Sequence, residues 1–103
     1  MITNATAKVK RYQRVSEDAT IRDYVEVGTE KVFLAPSGDE TRPLATEYGI
    51  LGKAYDCFFY KKTDIKKGDQ LEIRDDKYDV RGVKDFFSGG GFGVLHAITE
   101  KKE

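Results

Sequence analysis

Asp64-Ile65-Lys66-Lys67-Gly68-Asp69-Gln70-Leu71-Glu72-Ile73 reads as a tight turn feeding a short strand, and the residues after it read as that strand's partner. Leu71 and Ile73 alternate with Glu72 and Arg74, while Tyr78 and Val80 alternate with Asp79 and Arg81. That two-residue period belongs to a sheet with one face in a core. Asp75-Asp76-Lys77 is a polar connector of hairpin length. Gly68 supplies the restricted backbone that a reversal just before a strand demands. The stretch therefore predicts a small antiparallel barrel.

Outward from this hairpin, more strands come in short units. Residues 53–60 carry apolar groups on both faces, Ala54, Phe58 and Tyr60 on one and Tyr55, Cys57 and Phe59 on the other, as a strand covered on both sides does. Residues 94–99 form a closing strand in which Val94, His96 and Ile98 share a parity. Upstream, residues 8–15 read as a strand with a bulge or a helical turn, because Val9, Tyr12 and Val15 break the period of two. Ile21, Val25 and Val27 keep that period better, with Gly28 ending the unit, and residues 31–35 make a further strand stopped by Pro36-Ser37-Gly38-Asp39. Residues 1–6 and 100–103 read as loose tails of a single domain. The fold class is mainly β: a small antiparallel barrel of SH3 or OB size, with a long loop or short helix between strands.

That loop spans residues 36–52, longer than ordinary connections, and long loops tend to be functional. Asp39, Glu40, Arg42, Leu44, Tyr48, Ile50 and Leu51 are its candidate contact residues. The structural alternative is a short helix laid over the open end of the barrel.

The 103 residues hold eighteen bases and eighteen acids, so no net field draws the protein to nucleic acid or to an acidic membrane. The charge is nonetheless segregated. Residues 1–16 hold four bases and no acid, and residues 17–40 hold seven acids against Arg22 and Lys31. Two such segments can pair within one molecule or between copies arranged head to tail. Lys8, Lys10, Arg11 and Arg14 facing Glu17, Asp18, Glu26 and Glu30 of a neighbour are the candidate subunit interface. Cys57 is the single cysteine, which excludes an internal disulfide and suits a reducing compartment. Neither a membrane span nor a secretory signal is expected.

The chemical motifs are thin. Asp75, Asp76 and Asp79 lack the framework of a calcium loop and read as turn and strand carboxylates. Gly89-Gly90-Gly91-Phe92-Gly93 leads into a strand instead of a helix, which argues for a hairpin tip over a phosphate cradle. A Cys57–His96 dyad would need both side chains in one cleft, and a packed, hydrogen-bonded histidine is the simpler expectation. No enzyme, metal site or cofactor is predicted. Lys61, Lys62, Lys66 and Lys67 beside Phe58, Phe59 and Tyr60 offer cations and ring faces, so an OB or SH3-like module for single-stranded nucleic acid is the alternative function.

The order of features resembles the head completion (head-closure, or head-tail connector) proteins of tailed bacteriophages. The resemblance rests on Tyr48-Gly49-Ile50, on Tyr55 and Phe58, on residues 64–71, on Tyr78-Asp79-Val80-Arg81-Gly82-Val83 and on His96, and it covers roughly residues 45–100. It departs in the glycine-rich stretch after Phe87. The resemblance implies a virion protein made in the host bacterial cytoplasm. It implies a homo-oligomeric ring between the portal or adaptor ring and tail-side proteins, meeting phage DNA only through the channel, with no membrane contact and no catalytic residues. The loop at 36–52 would then reach the channel, the portal or the tail.

Overall fold

A computed structural model of the protein describes residues 2–18, 20–38, 42–50, 52–60, 63–88 and 92–102, with the side chains at 44, 85–88 and 92 excepted. It is a closed barrel of six strands: β1 (Ala5–Arg14), β2 (Arg22–Pro36), β3 (Ala54–Tyr60), β4 (Gln70–Ile73), β5 (Asp76–Ser88) and β6 (Phe92–Lys101), with one short helix, α1 (Arg42–Glu47), between β2 and β3. Neighbours around the barrel run β1-β2-β3-β6-β5-β4, all antiparallel, and β4 returns to β1. The small mainly β barrel expected from the hairpin pattern is what the chain forms.

The core is the inside of this barrel. Leu71, Ile73, Tyr78 and Val80 all point into it, as their alternation predicts, together with Ala7, Val9, Val32, Cys57, Phe59, Leu95 and Ala97. Ile65, five residues ahead of Gln70, is buried there too. Gly68 lies at φ 95°, where a side chain is strained, and its amide donates to the Val80 carbonyl at 2.9 Å. The turn thus reaches across to β5 and seals the barrel beyond the end of β4.

A second apolar cluster lies on the outer wall. Ala45 and Ile50 pack on Ala54 and Ile98, and Tyr48 joins them. Alternation explains the split, since Ala97 faces the interior while Ile98 faces out. The helix allowed for in the long loop does form, but it covers the wall of the barrel and not its open end. Gly82 makes room for it: a Cβ there would stand 2.4 Å from the Tyr48 ring. Gly82 follows a bulge at Arg81, where β5 has one residue more than β6.

Five expectations need correcting. The hairpin connector is the two-residue Arg74-Asp75, with φ of 51° and 70°, and Asp76 and Lys77 belong to β5. Both central residues are left-handed, the backbone that matches strand twist in two-residue hairpins. The N-terminal tail is shorter than six residues, because Ala5 and Thr6 pair with Val32 and Lys31, and the Asn4 side chain bonds the backbone of Leu34. Gly28 does not end a strand; β2 runs through it, accommodating Val27 as a bulge opposite Val9 and Lys10. Glu100 and Lys101 are paired in β6, not loose.

The last correction concerns where β1 and β2 go. Among the described residues, β1 beyond Lys10 is flanked by β2 alone, and β2 ahead of Phe33 is flanked by β1 alone. The far part of the hairpin is therefore a two-stranded arm leaving the barrel, in a molecule 43 Å long and 24 Å thin. Ile21 and Val27, expected on a core face, are 69% and 42% exposed, because no core exists opposite them.

Candidate interaction surfaces

The base of the arm is clamped. Arg11 Nε and Nη2 donate to the two oxygens of Asp69 at 2.9 Å each, and the Lys66 amide donates to Asp69 Oδ2 at 2.9 Å. Asp69 is buried, so the planar guanidinium takes the place of its hydration. Arg11 Nη1 also reaches Asp64 at 3.3 Å. Hydrogen bonding to Asp69 is the main cause that lifts the guanidinium's pKa further above its usual range. Next to it Lys10 Nζ meets Glu72 Oε2 at 2.7 Å, which raises the ammonium's pKa and holds the Glu72 carboxyl below its ordinary value.

These contacts reassign part of the expected interface. Lys10 and Arg11 have partners within the chain, on β4 and on the turn before it. Lys8 and Arg14 are exposed, with Arg14 directly opposite Arg22 on the arm. Glu17 and Asp18 are exposed in the turn of the arm, Glu26 is exposed opposite Lys10, and Glu30 is half-buried opposite Ala7. The basic and acidic segments do fold back on each other as one hairpin.

On the arm's outer face Tyr12 and Tyr24 stand opposite each other with ring centroids 5.5 Å apart, edge to face. Tyr12, Val15, Ile21, Tyr24 and Val27 are all exposed. This is an apolar display on an element with no core of its own. Of these, the alternating period places Ile21 and Val27 on a core face, and nothing local distinguishes an arm strand from a barrel strand.

The loop residues divide differently. Arg42 is exposed at the start of α1, and its Nη1 donates to the Gly52 carbonyl at 3.3 Å. Ile50 is fully buried and Tyr48 lies on Gly82, so these two hold the loop to the barrel and are not free contact residues. Leu44 lies in α1 with its side chain undescribed; Asp39, Glu40 and Leu51 fall outside the described residues, as do Lys61, Lys62 and the glycines at 89–91.

His96 and Cys57 face opposite sides of the sheet. His96 Nε2 donates to Asp56 Oδ1 at 2.8 Å, with its ring stacked on Phe58 at 4.5 Å, and both members of the pair are buried. Cys57 lies inside the barrel, 3.8 Å from Thr99 Oγ1, which itself donates to the Tyr55 carbonyl at 2.9 Å. The thiol is therefore the donor to Thr99, and burial pushes its pKa up to about 12. Lying on opposite faces, the two share no cleft among the described residues. Asp76 meets Lys101 and Asp79 meets Lys102 and Arg81, so these carboxylates serve as ion-pair partners on the surface.

No protein-family profile matches the chain. A curated relative, the 3-isopropylmalate dehydratase large subunit of Sulfurihydrogenibium sp. (strain YO3AOP1), is 38% identical over 96 residues, an alignment covering 79% of this chain. The chain spans 22% of that protein's length.

Proposed function

We propose that the protein is a structural subunit of a head-tail connector, a barrel that assembles as a ring between portal and tail, closes the filled head and gives the tail a surface to dock on. The observation that carries this reading is the arm, which leaves the barrel and holds Tyr12, Val15, Ile21, Tyr24 and Val27 in solvent. The register puts Tyr12 and Tyr24 on one face of the arm and Val15 and Ile21 on the other, and apolar groups exposed on both faces of an element without a core support a role in contact. The second support is the resemblance in the turn, where Ile65, Gly68, Asp69 and Leu71 each have a structural task in this barrel.

The dehydratase likeness does not argue for dehydration by this chain. It spans about a fifth of that protein. The chain's imidazole is closed off against Asp56 and Phe58, and its thiol is enclosed in the barrel.

The test is capture by portal-bearing capsids. The tagged protein is expected to co-purify with filled heads that carry a portal and not with portal-less shells. Equal recovery from both sinks the connector reading. Tight, strongly salt-dependent binding of single-stranded oligonucleotide by a monomer would instead favour the nucleic-acid module.

A further inference from the structure

The barrel closes, yet two stretches of strand keep an unpaired edge. Among the described residues, β2 has no neighbour on its β3 side from residue 22 to residue 32, and β5 has no strand on its β4 side beyond Asp79, with Val80 there bonded to Gly68 and Asp69 of the turn. Unpaired edges are templates for further pairing, and native proteins cover or blunt them. The β2 edge is long and lies on the arm with the exposed Tyr24 and Val27.

Charge decides what covers it. The edge itself, residues 22–32, holds Asp23, Glu26 and Glu30 against Arg22 and Lys31, and the turn of the arm adds Glu17 and Asp18. Two β2 edges brought together would set one acidic arm against another, which counts against a symmetric dimer. Around the free edge of β5 bases predominate: Lys84 is exposed on the strand itself, and Lys66 and Lys67 are exposed in the turn that bonds Val80, where the one exposed acid, Asp64, is met by Arg11. We propose that a second copy of this chain occupies the arm, the β2 edge of one copy pairing with the β5 edge of the next. The two edges are different surfaces of one molecule, so the contact is head to tail and repeats until a ring or filament results. Ring closure rests on the connector reading; the edge pairing does not.

The experiment is sedimentation of the full chain over a range of concentrations and salt. The protein should self-associate, and more weakly as salt rises. Glu26→Lys with Glu30→Lys in one variant, and Lys66→Glu with Lys67→Glu in another, should each weaken association about 100-fold, and mixing the two variants should restore it. Because any charge variant can lose its fold, a second measurement uses thiol cross-linking, which the enclosed Cys57 leaves clean. Thr29→Cys on β2 mixed with Lys84→Cys on β5 should give mixed dimers with a short bismaleimide. A protein that stays monomeric, charge variants that associate like the parent, or cross-links confined to like pairs would each overturn the proposal. Self-association through these edges without portal capture would sink the connector reading and leave this one standing.

Discussion

At the scale of single residues, Arg11 and Asp69 hold the most. The carboxylate is buried and takes three donors, so removing the guanidinium leaves a charge without compensation in a dry site. Arg11→Ala is expected to cost about 3 kcal/mol in urea unfolding, the lower end for a broken buried pair because Arg11 is partly exposed. Charge reversal at Arg11 would disrupt the fold before it tested an interface, and Arg14 is the better position for that purpose. Cys57 gives a pH signature with a definite sign. Its thiol is held to about 12 in the fold against 9.0 ordinarily, so between those values the unfolded chain binds fewer protons than the native one. Stability should therefore fall through this window by up to about 1.4 kcal/mol per pH unit. Cys57→Ala should flatten the slope, leaving the contributions of Tyr78, whose hydroxyl burial also raises, and of Lys10, raised by its bond to Glu72. An unchanged slope would mean the thiol is not the group responsible. At the hairpin, Asp75 sits at φ 70°. Asp75→Gly is expected to raise the thermal midpoint, by roughly 0.5–1 kcal/mol of stability, because glycine adopts that backbone freely.

At the scale of elements, what could be read in the sequence was whatever rests on local period. Leu71, Ile73, Tyr78 and Val80 announced their hairpin because each strand has one face in the core, and Gly68 announced its turn through backbone chemistry. The arm could not be read so. Alternation at Ile21, Val25 and Val27 reports a strand but not whether a core lies behind it, and that depends on β3 stopping its pairing at Phe33. The Arg11–Asp69 clamp joins positions 58 apart and left no local trace. Neither did Gly82, whose meaning appears only once Tyr48 is laid on it. That contact makes a prediction about α1. Gly82→Ala must push the Tyr48 ring aside, so the helix and the residues around Ile50 should loosen. Limited proteolysis should then cut between residues 37 and 53 while the barrel's melting changes less. Cleavage at the parent's rate would show that the ring moves at little cost.

At the scale of the whole molecule, the arm and the barrel have separate duties. Tyr12 and Tyr24 touch each other and solvent, so Tyr24→Ser should change the stability of the monomer by about 1 kcal/mol or less, in the range of cross-strand aromatic pairs. The same change should weaken assembly far more, as sedimentation would measure. Equal effects on both would place the ring in the core's service. The family resemblance, carried by residues 45–100, touches the arm in layout alone.

The clamp at Arg11 stands where the arm leaves the barrel, and its other jaw is the turn that carries Lys66 and Lys67 and ties down Val80. Tension applied to the arm passes through the guanidinium into that turn and on to the flank of β5. One run of hydrogen bonds thus joins the arm to the flank of β5 without passing through the barrel wall, so the two unpaired edges on either side of it share a single anchor.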